Sequence, residues 1–204
     1  MSFYEDRILP HLIQMGMRKK DLAVYRHRLV SAAEGRVLEI GVGSGLNFPH
    51  YGKNALCVVG LDPSAKLLSM AEGASRGVSL PVELLRSSAE TIPLRDESVD
   101  TLVTTWTLCS IPNVAQALSE MRRVLKPTGR LLFVEHGRSP DPSVCRWQDR
   151  LTPFWKRIGG GCHLNRAIGE LIKDAGFRVE RLDTGYMKGP KPMTFMYEGS
   201  ARQN

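Results

Sequence analysis

Between residues 36 and 135 the chain alternates short runs of aliphatic and β-branched residues with stretches whose apolar positions recur every three or four residues. The runs at 36–40, 55–61, 82–86, 99–104 and 131–135 read as strands, and the periodic stretches at 64–73 and 113–125 read as helices. That alternation predicts a parallel sheet with helices on both faces, an α/β architecture. Lys126-Pro127-Thr128-Gly129 punctuates the chain before the fifth strand. Residues 137–161 read as a long irregular stretch containing aromatic residues. A helix over 166–175 closes at Gly176. Strands at 178–182 and 194–198 come last, joined by a loop rich in Gly, Pro and Lys.

Before residue 36 the pattern is different. Ile8, Leu9, Leu12, Ile13 and Met15 to Met17 form one apolar group, and Leu22, Val24, Tyr25, Leu29 and Val30 form a second, with Arg and Lys between them. This spacing predicts amphipathic helices, with Pro10 starting or interrupting one. The chain therefore divides into a helical segment, 1–34, and an α/β domain, 35–204.

Composition narrows the classes. A length of 204 residues suits one domain, and 42% hydrophobic with 24% charged residues is ordinary for a globular protein. Cys57, Cys109, Cys145 and Cys162 show neither CxxC pairing nor the density of a secreted scaffold, so reduced thiols and no metal centre are expected. No apolar run approaches the roughly 18 residues of a spanning helix, and no signal-peptide pattern opens the chain. A soluble, cytoplasmic protein is expected. The net charge of +7 fits either a solvated surface or weak attraction to an anionic membrane surface. Basic runs interleaved with aromatics are missing, so nucleic acid is not expected as a partner. Oligomeric state is not readable.

The segment Val37-Leu38-Glu39-Ile40-Gly41-Val42-Gly43-Ser44-Gly45 joins the first strand to the next helix. Its glycines allow close approach of backbone to a ligand. Dinucleotide enzymes use a glycine-rich turn at this place too, but the spacing here is GxGxG, and Leu46 stands where their fingerprint requires a third small residue. Glu39 would repel a pyrophosphate and suits a cationic amino group. Asp62, ending the second strand, suits both hydroxyls of a ribose. Together these favour an adenosyl ligand without phosphates, S-adenosylmethionine (SAM).

ExGxGxG, with Leu61-Asp62-Pro63-Ser64 about twenty residues later, resembles class I SAM-dependent methyltransferases of the ubiquinone and menaquinone C-methyltransferase type. Ser87-Ser88-Ala89-Glu90-Thr91-Ile92-Pro93-Leu94, Ser98-Val99-Asp100 and Leu125-Lys126-Pro127-Thr128-Gly129-Arg130 resemble further motifs of that family, in order. The resemblance covers about residues 36 to 135. It implies a seven-stranded Rossmann-like sheet whose last strand is antiparallel. It also implies that Glu39 and the backbone at Gly41, Gly43 and Gly45 hold the methionine end of SAM. Asp62 would take the ribose, with Pro63 or Ser64 near the adenine. Ser88 and Ala89 would lie beside the adenine ring, and Thr105 would approach the SAM backbone. The family usually carries Asp at the position of Ser88, which leaves the adenine amino group a weaker contact, or one from Glu90.

A narrower resemblance to animal thiol S-methyltransferases rests on the segment from Thr104 to Ile111, on Glu135-His136, on Gly161-Cys162-His163-Leu164-Asn165-Arg166, and on Asn47 and Tyr51. Bacterial relatives with this arrangement are sometimes labelled phospholipid N-methyltransferases. The implied partner is a small-molecule methyl acceptor, with a thiol or another lipophilic nucleophile preferred. A phospholipid or quinone acceptor at a membrane surface is the alternative within the class. A nicotinamide-dependent oxidoreductase and a non-catalytic SAM-binding protein are alternatives outside it. Methyl transfer from a sulfonium asks mainly for positioning and a deprotonated acceptor, and His163 and His136 are the candidate bases. Cys109 reads as a small core thiol near the cofactor. Trp106, Trp147, Phe154 and Trp155 would serve an apolar acceptor pocket or simple packing. The N-terminal helices, through Tyr4, Tyr25 and His27, would cover the cofactor or merely pack.

Overall fold

The computed structural model describes residues 7–204. Seven strands form one sheet: β1 (Gly35–Ile40), β2 (Ala55–Leu61), β3 (Val82–Leu85), β4 (Val99–Thr105), β5 (Leu125–His136), β6 (Phe177–Tyr186) and β7 (Phe195–Gln203). Their order is β3-β2-β1-β4-β5-β7-β6. Pairings from β3 through β5 are parallel, and β7 lies antiparallel to both β5 and β6. The order reverses beside β1, and that switch point is where open α/β sheets bind ligands, at the carboxyl ends of the strands.

Period-two alternation in the central strands fills two layers. Leu38, Ile40, Leu102 and Phe133 pack with α4 (Val114–Val124) and α6 (Ile168–Asp174). Val37, Val58, Val103 and Val134 face the opposite layer with Leu29 and Val30 of α2 (Lys20–Val30), Phe48, and Ala71 of α3 (Ala65–Ser75). Ser64 caps α3 by accepting from the Leu67 N–H at 3.3 Å. The expected parallel strands, the helices over 64–73 and 113–125, and the antiparallel last strand all find counterparts here.

The N-terminal segment holds α1 (Leu9–Met17) and α2, broken at Arg18 and Lys19. Pro10 stands in the first turn of α1, where a missing N–H costs nothing. Arg28 of α2 reaches across to Glu198 of β7, donating through both Nε and Nη2, and Arg181 joins the same carboxylate at 3.0 Å. The helical segment is thus tied to the far half of the sheet. Tyr4 lies outside the described residues.

Residues 137–161 depart from expectation. Most of this stretch is a 17-residue helix, α5 (Pro142–Ile158), capped by Asp141, which accepts from the Ser143 N–H at 2.8 Å. Its buried positions are Val144, Gln148 and Thr152, so two of three inward residues are polar and the apolar stripe is missing. Gln148 is fully buried and satisfied: its Oε1 accepts from Ser139 N, and its Nε2 donates to the carbonyls of Gly137 and Pro192. The loop between the last strands also contains a single helical turn, α7 (Lys191–Thr194). β5 begins earlier than expected and β6 ends later, because edge and bulged segments pair without an apolar pattern.

No helix among the described residues is long and apolar enough to cross a membrane.

Candidate functional site

Glu39 sits on β1 beside the switch point and is 1% exposed. Three left-handed glycines, Gly41, Gly43 and Gly45 (φ 69°, 56° and 77°), turn the chain back over the strand end. The 3-10 turn Phe48–His50 comes next, bringing Asn47 and Tyr51 to the same carboxylate. Asn47 Nδ2 donates to Glu39 Oε1 at 2.8 Å, and the Tyr51 hydroxyl donates to Oε2 at 2.7 Å. Asn47 Nδ2 also reaches Thr105 Oγ1 on β4, at 3.0 Å. Burial pushes the Glu39 acid up to about 7, against the pull of those two donors and of Arg26. The Asn47 Oδ1 is buried with no protein donor, so a cationic N–H group placed here would find unused acceptor capacity.

The glycines have separate reasons to be glycine. A Cβ on Gly41 would lie 2.4 Å from the Thr107 side chain, and one on Gly45 would lie 2.5 Å from the Phe48 ring. A Cβ on Gly43 would meet nothing nearer than 3.9 Å. Only at Gly43 does the missing side chain leave open space for a ligand; at Gly41 and Gly45 packing and φ set the requirement.

Asp62 directly follows β2, where its Oδ2 accepts from Gly43 N at 3.0 Å and its Oδ1 from Ser64 N at 2.8 Å. Burial raises its acid above the usual range, opposed by those two N–H donors. A carboxylate offers about four acceptor sites, so lone pairs remain for hydroxyls. Pro63 is exposed and Ala89 is buried. The Ser88 hydroxyl turns onto its neighbour, donating to Glu90 Oε2 at 2.9 Å and accepting from Glu90 N at 3.2 Å. Glu90 Oε1 meanwhile accepts from Asn113 N at 2.6 Å. Both candidate adenine contacts are therefore engaged locally.

The turn after β4 carries the other half of the site. Trp106 adopts φ 53°, a left-handed conformation unusual for a bulky side chain. The Arg26 guanidinium lies 4.7 Å from its ring centre and Tyr25 meets it edge-on at 6.4 Å. Buried Arg26 has its pKa lowered to about 10 by desolvation, with Glu39 opposing. Helix α2 thus sits over the turn through Tyr25 and Arg26. His27 is exposed and instead meets His50, with ring centres 6.0 Å apart. The fully buried Glu135 holds the Thr107 N–H through Oε1 at 3.0 Å.

Beyond Thr107 the turn delivers Cys109 to His136 and Cys162. Their Sγ and ring nitrogen atoms all lie within 4.8 Å of one another, with His136 Nε2 3.0 Å from Cys162 Sγ. Within the pair Cys109 is the more acidic thiol, because Cys162 donates to it and His136 lies beside it, against burial. His163 is the next residue along: its backbone N–H and its Nδ1 both approach the Cys109 carbonyl, at 2.8 and 3.1 Å. A carbonyl only accepts, so Nδ1 carries the proton and Nε2 keeps a lone pair. Burial, then Arg166, lowers the His163 pKa, which keeps the ring neutral at pH 7.

The predicted residues therefore fall into two groups joined by one turn. Glu39, Gly43, Asn47, Asp62 and Thr105 gather at the end of β1, and His136 and His163 flank Cys109. Sequence reading missed Arg26, which it counted only as a polar gap in an amphipathic helix. It also missed the three-residue cluster, whose spacing of 27 and 26 residues matches no short motif. Trp147 and Phe154, candidates for an acceptor pocket, are 56% and 62% exposed, so they line no enclosed pocket; Trp155 packs beside Cys109 and Cys162.

Residues 38–133 match the family described as "Methyltransferase domain". The rat thiol S-methyltransferase TMT1B is 36% identical over 156 residues, covering 74% of this chain and 63% of that protein. The human TMT1B is 33% identical over 178 residues, covering 83% of this chain and 70% of that protein. A phosphatidylethanolamine N-methyltransferase from Cereibacter sphaeroides is 37% identical, covering 74% of this chain and 73% of its own length. The chain thus spans about two thirds of the length of the rat and human relatives. Among solved structures, a SAM-dependent methyltransferase from Thermotoga maritima superposes with a TM-score of 0.70 at 21% identity, covering 98% of each chain, which shows the shared fold.

The raised acid of Glu39 gives a stability signature. Its folded pKa, about 7, lies above the ordinary 4.5, so its contribution is complete below about pH 4.5 and is lost as the pH rises through 7. Ligand-free protein is expected to lose on the order of 3 kcal/mol of stability through this group between pH 5 and 8. Urea unfolding across that range checks it. Glu39→Gln should flatten the dependence, and an unchanged slope in that variant would contradict the assignment.

Proposed function

The chain belongs to the SAM-dependent methyltransferases, and on that premise we propose that it transfers a methyl group from SAM to a small-molecule nucleophile, a thiol first of all. The observation that carries the reading is the buried Glu39–Asn47–Tyr51 constellation facing an open Gly43, with Asp62 across the turn. Glu39 and the orphaned Asn47 Oδ1 would receive the methionine ammonium. Asp62 would take the ribose hydroxyls on its remaining lone pairs. Bare backbone at Gly43 leaves room for the chain between them. Gly43 N, in the middle of the turn, is already spent on Asp62 rather than open to a diphosphate. This disfavours a nicotinamide cofactor.

Bound SAM supplies an electrophilic methyl on its sulfonium. The protein's own task is then to orient the acceptor and remove its proton. Glu39 and Asp62 hold the donor molecule at its two ends, and the Trp106 turn with α2 above it excludes water. His163, with its Nε2 lone pair, is the base we assign for the acceptor proton. His136 is occupied by Cys162, which leaves it a positioning role. Similarity to thiol S-methyltransferases and the apolar wall of Leu151, Trp155 and Met193 beside Cys109 both favour a soft, lipophilic acceptor.

A second reading, an acceptor presented on a lipid surface, draws on α1 and the end of α5. Ile8, Leu12 and Met15 are exposed at helical spacing, and Ile158 is exposed near Gly160, where α1 packs through Leu9 and Ile13. Arg18, Lys19, Lys20, Lys156 and Arg157 lie close by in sequence and are exposed. An apolar stripe with flanking cations suits an anionic interface.

Each reading has its own test. With methyl-labelled SAM and a panel of thiols, amines and phenols, label should enter thiols, and His163→Ala should lower kcat by roughly 100-fold or more with little change in KM. Transfer to no thiol refutes the acceptor assignment, and an unaffected kcat refutes the base. Flotation with anionic vesicles should carry the protein to the lipid fraction, and Leu12→Asp with Met15→Asp should leave it behind. Wild-type protein that stays with the dense fraction refutes surface association.

A further inference from the structure

We propose that Cys109, His136 and Cys162 are the three protein ligands of a zinc-class divalent cation whose fourth position receives the sulfur of the methyl acceptor. The proposal rests on the thiol reading above and adds the means by which the thiol is held and kept ionised.

Geometry is the first support. A tetrahedral zinc site with Zn–S near 2.3 Å and Zn–N near 2.0 Å places ligand atoms about 3.5–3.8 Å apart. The three donor atoms here lie within 4.8 Å of one another, and His136 Nε2 and Cys162 Sγ are 3.0 Å apart. Small side-chain adjustments bring all three onto one ion. Two thiolates and an imidazole are the soft and borderline donors that select zinc over magnesium or calcium. Three protein ligands, rather than four, are the signature of a site that keeps one position for water or substrate.

The surroundings are the second support. Sulfur ligands of metals are typically steadied by outer hydrogen-bond donors. The Trp155 side chain donates to Cys162, and Ser110 Oγ lies 3.5 Å from Cys109 Sγ. Arg166 faces Cys109, Cys162 and Glu135 together and donates to the Leu108 carbonyl. With an ion bound, its two positive charges would balance the two thiolates, with the Arg166 guanidinium beside them; burial raises the Glu135 acid to about 8, which holds it uncharged at pH 7. The ion would take His136 through Nε2; one Glu135 oxygen and the His136 Nδ1 are buried and unpartnered with or without it.

Position is the third. Cys109 lies four residues beyond Thr105, which bonds Asn47 in the donor cradle, and Thr107 between them packs on Gly41. A cation at Cys109 therefore sits at the far end of the turn whose near end touches the methyl donor's site. The acceptor thiol would enter the fourth position and give its proton to His163 Nε2. Its sulfur would then form the new S–CH3 bond as the sulfonium's own C–S bond breaks and that sulfur leaves as a neutral thioether.

Cobalt(II) titration of the full-length protein tests this. One equivalent should produce sulfur-to-cobalt charge-transfer absorption. It should be abolished in Cys109→Ser and Cys162→Ser and kept in Cys57→Ser and Cys145→Ser. Adding a thiol without SAM should shift the visible cobalt bands. Because the serine variants are in the core, a second measurement uses wild-type protein alone: zinc added to stripped protein should slow labelling of Cys109 and Cys162 beyond what their burial already does, and leave Cys57 and Cys145 unchanged. Stripping the metal should lower kcat/KM for thiols at least tenfold, with recovery on adding zinc. Absent charge transfer, labelling of Cys109 and Cys162 that zinc does not slow, or a Cys109–Cys162 disulfide indifferent to metal would overturn the site. Undiminished thiol methylation by stripped protein would overturn the cation's role while leaving thiol methylation standing. Cobalt bands that shift with thiol, in a protein that methylates no thiol, would support the site and refute the transfer reaction.

Discussion

A carboxylate withdrawn from water at the end of β1 is costly unless donors replace its hydration, and much of this molecule's architecture serves that replacement. Asn47 and Tyr51 supply two hydrogen bonds to Glu39, and both arrive there because three left-handed glycines fold the chain back across the strand. Arg26 adds charge from α2. The compensation is incomplete: burial still holds the acid near 7, and Asn47 keeps one buried oxygen without a donor. A cationic partner would complete it.

The corner is coupled to the rest of the protein by the turn after β4. Thr105 bonds Asn47, Trp106 supports α2 through Tyr25 and Arg26, Thr107 fills the space over Gly41, and Cys109 reaches His136 and Cys162. One five-residue segment thus contacts the Glu39–Asn47 constellation, α2 and the His136–Cys162 pair. Glu135 fixes its backbone from β5 through the Thr107 N–H. A shift of this segment would move both halves of the site, so its strained Trp106 is well placed to set their spacing.

Legibility in the sequence tracks the physics of each element. β1, β2 and β4 sit in the sheet's interior and carry apolar runs, so their positions can be read closely. Glu39 and Asp62 can be placed at the ends of β1 and β2 because each borders a turn signal, glycines after one and Pro63 after the other. Helix α5 is not readable: its inward face uses Gln148 and Thr152, its outward face carries Trp147 and Phe154, and Pro153, a sequence signal against a helix, stands inside it. Hydrophobic periodicity has nothing to detect when hydrogen bonds do the packing. Likewise Ser88 turns to Glu90, a local bond that no pattern announces. Cys109, His136 and Cys162 come from three separate elements, and only the sheet order and the return of the chain after α5 bring them together.

Glu39 as the seat of a cationic amino group is the claim on which both halves of the site depend. Calorimetric titration with SAM and with an analogue lacking only the amino group tests it directly. SAM should bind, the deaminated analogue should bind at least tenfold more weakly, and Glu39→Gln should narrow the difference. Equal affinity for the two compounds, or binding of NADH in place of SAM, would contradict it.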